Sequence, residues 1–492
     1  MEMWSVVFVA IALLVIYITH WVYRWNNPKC NGKLPPGSMG FPVIGETLKF
    51  LSPNSSFDLL PFVKKRMERY GPLFKTNLVG TPTVISTDPE INNFIFQQEG
   101  KSFQSWYMDS FTELFGRTTN LAAHTIVHKY LRSLVLSLFG PENLKENLLP
   151  EIEQTTRTYF QLWSTQPSIE LKEGISTMIF DLTAKKMISY DEVKSGQKLR
   201  GNFVDFIKGL ISFPLNIPGT IHYKCLQGRK KAMKLLKDML VERRAKASPE
   251  KGHGDFMDLI MEELKKEETI LTEGFALDLM FVLLFASFET TSSALTLAFK
   301  ILADYPLVVE ELTREHESIL RSRENLDSTI TWTEYKSMTF TSMVISEIVR
   351  LANIVPGVFR KTIKEVEING YTIPAGWAVM VCPPAVHLNP AKYEDPLVFN
   401  PWRWEVSVCK FFVQLGMETS AGSKNFIAFG GGPRYCTGAD FAKLQMTVFF
   451  HCLVTKYRWM IVKGGDIVRR PGLIFPNGIH IQLTDKEANE SK

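Results

Sequence analysis

The order of hydrophobic and polar positions along this chain predicts several helices and one hairpin. Residues 3–23 form an apolar run without Asp, Glu, Lys or Arg. Residues 150–268 carry charges on one face and apolar side chains at helical spacing, and residues 438–457 predict a further helix. Residues 74–86 have the composition of two paired strands, and we expect the turn between them near Gly80.

The first apolar run predicts a membrane anchor at residues 1–25. Its length suffices to cross a hydrocarbon core of about 30 Å as a helix. A cleavable signal peptide is the alternative, but only Glu2 precedes the apolar run and no A-x-A cleavage site follows it. The basic residues Arg24, Lys29 and Lys33 come directly after the run, so the positive-inside rule predicts a cytosolic body.

Proline and glycine interrupt the pattern at two places. We expect residues 26–45 to be a hinge that holds the body at a set angle to the membrane, because proline fixes φ. Residues 210–219 contain two prolines and one glycine and leave an apolar tip. This tip is either an ordinary loop packed on the core or a lid that dips into the bilayer, and the anchor favours the lid.

Residues 271–304 predict one long helix that ends before Pro306. Between Asp278 and Lys300 its only charged residue is Glu289. A second membrane span is the alternative, but a Glu beside a run of hydroxyl side chains would be costly in lipid. A buried core helix with a functional polar patch fits the pattern better.

Composition narrows the classes of function. The 492 residues are 45% hydrophobic and include 34 Phe and 10 Trp, which indicates a substantial core and a wide apolar cavity. Six scattered cysteines without a C-x-x-C pair argue against a disulfide framework and for a reducing compartment. A net charge of +5 without a basic stripe suits acidic partners or membrane surfaces, and it argues against nucleic acid as a partner.

One cysteine lies in a setting that suits a metal ligand. Residues 429–438 read Phe-Gly-Gly-Gly-Pro-Arg-Tyr-Cys-Thr-Gly and lead into the predicted helix at 438–457. A thiolate ligates metals, and we expect the amides at the helix N-terminus to lower the pKa of Cys436. The glycines let the backbone approach a large flat group, Arg434 offers a forked cation for a carboxylate, and Phe429 can cover the sulfur.

This stretch resembles the haem-ligating signature F-x-x-G-x-R-x-C-x-G of the cytochrome P-450 family, and all five fixed positions match. The resemblance covers nearly the whole chain. It implies a cytochrome P-450 fold, mainly α with small β-sheets, as a catalytic domain over residues 46–492 that follows one N-terminal transmembrane helix. It also implies a haem whose iron is bound by Cys436, with Phe429, Gly430 and Arg434 around it. The alternatives are a glycine loop with a buried structural cysteine, and zinc or iron–sulfur sites, which the lack of a nearby second cysteine disfavours.

A second family motif lies on the long predicted helix. Residues 286–291, Ala-Ser-Phe-Glu-Thr-Thr, resemble the oxygen-binding segment of the family. The resemblance implies that Thr290 holds dioxygen by a hydrogen bond and that Glu289 relays protons, which makes these two the predicted catalytic residues. Ser287 stands where the family usually has Gly, so the local shape of the helix stays open.

Other motifs imply contacts around the haem. Arg132 and Arg360 would pair with the propionates, together with His128, which replaces the Trp of the family pattern W-x-x-x-R. An E-x-x-R pair and a segment resembling P-x-R-F, Phe-Asn-Pro-Trp-Arg-Trp at 399–404, would form a buried triad that locks the haem-binding segment. The members of this triad are Glu347, Arg350 and Arg403.

By analogy with the family, side chains from several segments should line a substrate pocket. None of them is charged, so we expect a lipophilic substrate without a carboxylate or phosphate. The predicted pocket residues are Trp106, Phe111, Leu210, Ala286, Ile354, Val355, Ile474 and Phe475.

The resemblance therefore predicts a haem-dependent monooxygenase of the endoplasmic reticulum membrane, with a single span and a cytosolic catalytic domain. Its oxidant is O2. The chain contains no flavin or dinucleotide fingerprint, so we expect electrons from NADPH to arrive through the flavins of a separate NADPH-cytochrome reductase. The basic residues predicted for the docking face of that reductase are Lys129, Arg132, Lys424 and Lys443.

Variants in residues 21–30, 286–291 and 399–404 resemble a plant branch of the family that oxidises sterols, brassinosteroid precursors and triterpenoids. We therefore expect hydroxylation of a sterol or tetracyclic triterpenoid, or cleavage of its side chain. Another lipophile, such as a diterpenoid or fatty acid, is an open alternative. A haem-thiolate isomerase and a non-catalytic sterol or haem carrier are two more, although both should lack the acid–threonine pair.

Overall fold

Helices make up most of the body, and short strands form small sheets. The computed structural model describes residues 2–116, 125–196, 198–210, 212–246, 254–325, 328–405 and 423–486. The helices in these residues are α1 (Glu2–Asn26), α2 (Thr47–Phe50), α3 (Pro61–Tyr70), α4 (Pro89–Gln97), α5 (Asp109–Phe115), α6 (Thr125–Phe139), α7 (Pro141–Asn143), α8 (Leu149–Ser164), α9 (Leu171–Ile188), α10 (Glu192–Ser195), α11 (Leu199–Gly209), α12 (Ile221–Lys246), α13 (Phe256–Glu263), α14 (Glu273–Asp304), α15 (Pro306–Arg321), α16 (Trp332–Ser337), α17 (Thr339–Ala352), α18 (Pro383–His387) and α19 (Ala439–Lys456). The strands are β1 (Leu73–Leu78), β2 (Thr81–Ser86), β3 (Phe103–Ser105), β4 (Ile169–Glu170), β5 (Val358–Thr362), β6 (Val366–Ile368), β7 (Tyr371–Ile373), β8 (Ala378–Val381), β9 (Tyr457–Gly464), β10 (Val468–Arg470), β11 (Gly472–Ile474) and β12 (Ile479–Asp485).

The largest sheet has five strands in the order β1-β2-β8-β5-β3, and the smaller sheets are β4-β12-β9, β6-β7 and β10-β11. β1 and β2 pair antiparallel, which confirms the predicted hairpin. Its turn consists of Val79 and Gly80, whose φ angles of 52° and 79° match the type I′ turn favoured between twisted strands. β5 pairs with β3 so that Arg360 lies opposite Ser105. This pairing matters for the site described below.

Helix α1 has the dimensions of a membrane anchor. Its apolar stretch Val6–Asn26 is 21 residues long, and no part of that stretch is buried in the protein. At its end, Trp25 Nε1 donates to the carbonyl of Gly40 at 3.2 Å. In the proline-rich segment that follows, the carbonyl of Pro36 accepts a hydrogen bond of 2.8 Å from Lys75 N on β1. The segment predicted to be a hinge is therefore bonded both to the anchor and to the largest sheet.

Helix α14 passes through the core, as predicted from its pattern. Its N-cap Thr272 accepts from Phe275 N through its hydroxyl, and the helix ends before Pro306. The helix is also long and apolar enough to span a membrane, but half of its most apolar stretch is buried inside the protein. It packs against α9, α12, α17 and α19. The helix remains α-helical through Ser287, so the Ser that replaces Gly causes no break.

The predicted triad comes together at a fully buried carboxylate on α17. Glu347 accepts from Arg350 Nε at 2.8 Å, and both side chains have no exposed surface. Arg403, in the short 3-10 turn Pro401–Trp404, donates from Nε to the same carboxylate at 3.0 Å. Trp404 also donates to it from Nε1 at 3.0 Å. Trp404 stands where the P-x-R-F pattern has Phe, and its indole gives the carboxylate one more donor.

We predict that Glu347→Ala destabilises the protein by about 3–5 kcal/mol, because it leaves the buried Arg350 guanidinium without its counter-charge. The measurement is the chemical unfolding of the detergent-solubilised protein. Glu311→Ala is the matched control, because Glu311 forms an ion pair at the same i, i+3 spacing with Arg314 on the surface. The control should change stability by less than about 1 kcal/mol. Equal effects of the two substitutions would contradict a locking role for Glu347.

Buried histidines add a second constraint on the fold. His387, on α18, has its Nδ1 2.7 Å from Asn353 Oδ1, and its Nε2 accepts from Ile427 N at 3.0 Å. Since Nε2 accepts, Nδ1 carries the proton of a neutral ring. Burial, helped by the charge of Arg350, lowers the pKa of His387 to about 3. His451 packs against His316 and has a pKa lowered by burial to about 3.

We predict that stability falls as the pH drops from about 6.5 toward about 3. Over this interval the unfolded chain binds protons that His387 and His451 cannot take up in the folded state. Each histidine contributes a slope of up to about 1.4 kcal/mol per pH unit. The thermal midpoint as a function of pH tests this. His387→Gln should lower the midpoint at pH 7.5 yet make the acid-side slope shallower, and an unchanged slope in this variant would contradict the role given to His387.

Candidate active site

The cysteine loop is pressed against the C-terminal end of α4. Gly432 has a φ of +62°, and a Cβ built there would lie 2.6 Å from the carbonyl oxygen of Phe96. A Cβ on Gly431 would lie equally close to the Phe96 ring. Cys436 N donates to the carbonyl of Phe429 at 3.0 Å, which closes the loop just before α19. Two of the glycines are therefore required by close packing, and the loop conformation fixes the position of the thiol.

The thiol of Cys436 is surrounded by protein atoms but keeps accessible surface. Burial among these atoms raises the pKa of the Cys436 thiol. The hydrogen bond from the Gly438 amide and the charge of Arg132 act in the opposite direction but are outweighed. The predicted lowering by helix amides is thus present, but the predicted net direction is wrong, because desolvation dominates in this cleft. A metal ion would reverse this balance, since it deprotonates a coordinating thiol.

Two of the predicted propionate partners share one carboxylate that the sequence did not point to. Glu99, just beyond α4, has an Oε1 2.6 Å from Arg434 Nε and an Oε2 2.7 Å from Arg360 Nε. The three side chains are only 1%, 10% and 3% exposed, in that order. The arginines come from the cysteine loop and from β5. Glu99 therefore links the loop to the five-stranded sheet.

Two further predicted partners, both on α6, lie beside this cluster. Arg132 donates from Nη1 to the carbonyl of Tyr435 and, at 3.1 Å, to Thr437 Oγ1. Burial, together with the nearby charges of Arg434 and Arg132, lowers the pKa of His128 to about 4. His128 is therefore neutral at physiological pH and adds no charge to the cluster.

The charges of this region fit a haem. In the contacts that the structure describes here, the guanidiniums of Arg132, Arg360 and Arg434 outnumber the carboxylate of Glu99 by two charges. Buried charges require partners, and an excess of two positive charges suits the pair of haem propionates. Cys436 would bind the iron, and the arginines would hold the propionates. Phe429, whose ring lies 5.6 Å from Lys443 Nζ, belongs to the same loop.

The predicted oxygen-site residues on α14 point in different directions. Ala286 is exposed and Thr290 is half-buried, and the Thr290 hydroxyl donates to the Ala286 carbonyl at 2.9 Å. Their spacing places both on the same face of the helix. Glu289 instead forms an ion pair with Lys172 on α9, with 2.6 Å between Nζ and Oε1. Lys172 is a partner that no sequence motif identified.

The predicted pocket residues all retain accessible surface. Trp106, Phe111, Leu210, Ile354 and Phe475 are half-buried, whereas Ala286, Val355 and Ile474 are exposed. This is the pattern expected of side chains that line a cleft rather than fill a core.

Ring contacts join the first pocket segment to α14 and to β5. The ring centroids of Phe111 and Phe115 are 4.7 Å apart, and those of Phe115 and Phe285 on α14 are 5.4 Å apart. On the other side, Trp106 lies 6.3 Å from Phe359 on β5. The aromatic segment therefore bridges the helix that carries Thr290 and the strand that carries Arg360.

The basic residues predicted for reductase docking differ in their exposure and in their contacts. Lys129 and Lys424 are exposed, and Lys424 pairs with Glu90 at 2.7 Å. Lys443 is half-buried, and Arg132 is bonded to the cysteine loop. Docking through all four side chains stays a prediction, and Lys129 and Lys424 are the two best placed for it.

Comparison with known proteins identifies the class. The family model described as Cytochrome P450 matches residues 35–478 of this chain. The chain therefore belongs to the cytochrome P450 family, and it is a monooxygenase whose cofactor is haem. A retinoic acid-bound cyanobacterial CYP120A1 structure covers 92% of this chain and 100% of its own, with a TM-score of 0.80 at 26% identity. This likeness confirms the mainly helical fold with small sheets.

The chain is also similar to particular plant members of the family. It is 60% identical to Cytochrome P450 87A3 of Oryza sativa subsp. japonica, over 95% of this chain and 89% of the relative. It is 43% identical to Cucurbitadienol 11-hydroxylase of Siraitia grosvenorii, over 99% of this chain and 100% of the relative. It is also 43% identical to Beta-amyrin 16-alpha-hydroxylase CYP87D16 of Maesa lanceolata, over 98% of this chain and 100% of the relative. The predicted resemblance to a plant branch acting on sterols and triterpenoids is thereby confirmed.

We predict that Cys436→Ser abolishes the thiolate-type carbon monoxide difference band while the protein stays in the membrane fraction. The reason is that Cys436 alone lies in the glycine loop, between Arg434 and the start of α19. Cys452→Ser is the control, because Cys452 is buried within α19 and away from the loop. Retention of the thiolate band in Cys436→Ser would show that another residue ligates the iron.

Proposed function

We propose that this monooxygenase hydroxylates a polycyclic triterpenoid or sterol at a membrane surface. The observation that carries the proposal is the similarity, over whole chains, to two hydroxylases named for cucurbitadienol and beta-amyrin, which are both triterpenoids. A relative with 36% identity is named as a cholesterol 22-hydroxylase, so the two substrate classes occur within this set.

The accessible apolar side chains support a large lipophilic substrate. The predicted pocket residues are uncharged, and Trp106, Phe111 and Phe475 offer aromatic surface. Burial of apolar area, worth about 25 cal/mol per Å², would then dominate affinity. The predicted pocket offers few polar groups that could orient the substrate. A hydrogen bond to a single hydroxyl group on a ring of the substrate would then determine which carbon reaches the haem.

Three residues would control oxygen and protons. Haem held by a thiolate supplies the oxidation of a C–H bond with dioxygen and two electrons. Thr290, accessible on α14, would hold oxygen by a hydrogen bond. Glu289 would relay protons, and because it pairs with Lys172 at 2.6 Å, the relay requires this ion pair to open. An isomerase or a carrier would have no use for this arrangement.

Location at a membrane would also favour a lipophilic substrate such as a triterpenoid or sterol. The apolar helix α1 would anchor the protein in the endoplasmic reticulum membrane, with the catalytic body on the cytosolic side and the segment 26–45 as the hinge. Phe213, Leu215 and Ile217 in the predicted lid are all exposed, and they would place the mouth of the cleft where lipophilic molecules partition. Electrons would come from NADPH through a separate reductase that docks near Lys129 and Lys424.

A substrate panel tests the proposal. Triterpenes, sterols, diterpenes and fatty acids are titrated against the purified holoprotein, and turnover is then measured with NADPH and a plant reductase. We expect a low- to high-spin shift and a hydroxylated product with a triterpene or sterol. Turnover of only a diterpene or fatty acid would contradict the proposed substrate class but not the monooxygenase activity.

We predict that Thr290→Ala uncouples the enzyme with whichever panel compound turns over. NADPH consumption should persist, hydrogen peroxide should rise and product should fall about tenfold or more, because the hydroxyl no longer holds oxygen and directs protons. Thr290→Ser keeps the hydroxyl and should restore most of the coupling. Unchanged coupling in Thr290→Ala would show that another hydroxyl, such as that of Ser287, performs this role.

A further inference from the structure

Glu99 lies where three parts of the chain meet. It follows the end of α4, its carboxylate Oε1 accepts from Ser105 N on β3 at 3.0 Å, and the same oxygen lies 2.6 Å from Arg434 Nε. Its Oε2 lies 2.7 Å from the Nε of Arg360 on β5. Because Ser105 and Arg360 are paired across β3 and β5, one carboxylate touches both strands and the cysteine loop.

Glu99 contacts the same atom, Nε, of both Arg360 and Arg434. This is the guanidinium nitrogen nearest the backbone, and Arg360 also donates from Nη1 to the carbonyl of Phe359 at 2.9 Å. A guanidinium held at Nε has fewer orientations, and its planar fork is then set for a second carboxylate. Loss of Glu99 would leave two buried cations close together without the carboxylate that they share.

The charge of Glu99 also affects the cofactor. With Arg132, Arg360 and Arg434 nearby, Glu99 reduces the local positive charge to the amount that a pair of propionates neutralises. A further positive charge beside the haem would stabilise its reduced form and so make its reduction potential more positive. His128 does not compensate, since it is neutral in this setting.

We propose that Glu99 is a positioning residue of the haem site, which orients Arg360 and Arg434 for the haem propionates and sets the charge beside the cofactor. Glu99 acts through the two arginines and not on the substrate. The inference rests on the haem site described above but not on the proposed substrate, so the substrate panel and the experiment below fail independently.

The test compares Glu99→Gln and Glu99→Asp with the wild-type full-length protein. Glu90→Gln is the matched control, because Glu90 lies on α4 and its ion pair with Lys424 is on the surface. Two quantities are measured on each purified holoprotein: the rate of haem transfer to an excess of apomyoglobin, and the reduction potential of the haem. The thiolate-type carbon monoxide band confirms in each case that Cys436 ligation is intact.

We expect Glu99→Gln to lose haem about tenfold faster or more, as is typical when a residue that orients a ligand is lost. Its reduction potential should become more positive, since a buried negative charge near the haem is removed. Glu99→Asp keeps the charge but is too short to bridge both arginines. It should therefore lose haem faster while its potential stays near that of the wild type.

Wild-type haem retention and potential in Glu99→Gln, as in Glu90→Gln, would overturn the proposal. Faster haem loss without the positive shift in Glu99→Gln would overturn the electrostatic part. If Glu99→Gln yields no holoprotein, Glu99→Asp decides, because haem loss at the wild-type rate in that variant would show that bridging both arginines is unnecessary.

Discussion

This structure depends most on buried carboxylates that are each shared by two arginines, and the described residues contain two of them, Glu347 and Glu99. At Glu347, the arginine partners are otherwise satisfied, since Arg350 also donates to the carbonyls of His387 and Pro396 at 2.8 and 2.7 Å. That network is closed and serves the fold. At Glu99, a third guanidinium, that of Arg132, lies close by, and the positive charge exceeds the negative. The net positive charge of this second cluster suits an anionic ligand, and the cluster adjoins the loop that carries Cys436.

The same contacts connect the fold to the reaction. The end of α4 presses against Gly432, and Glu99 holds the loop to the sheet, so the position of the thiol depends on elements that never touch a substrate. Helix α14 presents the accessible Ala286 and Thr290, and its Phe285 packs against Phe115. A rigid cofactor site facing an apolar cleft suits a family in which the cofactor performs the oxidation and the protein sets orientation and electron supply.

The sequence predicted those parts of the site that lie in one segment at fixed spacing. The Cys436 loop, the Glu347–Arg350 pair and the long apolar helix were all recognisable in this way. Glu99 and Lys172 were not, because their partners Arg434 and Glu289 lie 335 and 117 positions away, and only the fold brings them together. The predicted direction of the Cys436 pKa was wrong because spacing reveals the nearby amides but not the burial of the sulfur. Residues 197, 211 and 247–253 of the predicted helical region 150–268 lie outside the described residues.

The proposed chemistry depends on a haem whose iron is held by the sulfur of Cys436. X-ray absorption at the iron edge of the purified ferric protein tests it most directly. We expect one sulfur atom in the first coordination shell of iron, at a typical iron–thiolate distance, and its loss in Cys436→Ser. A first shell that contains only nitrogen and oxygen in the wild-type protein would contradict it.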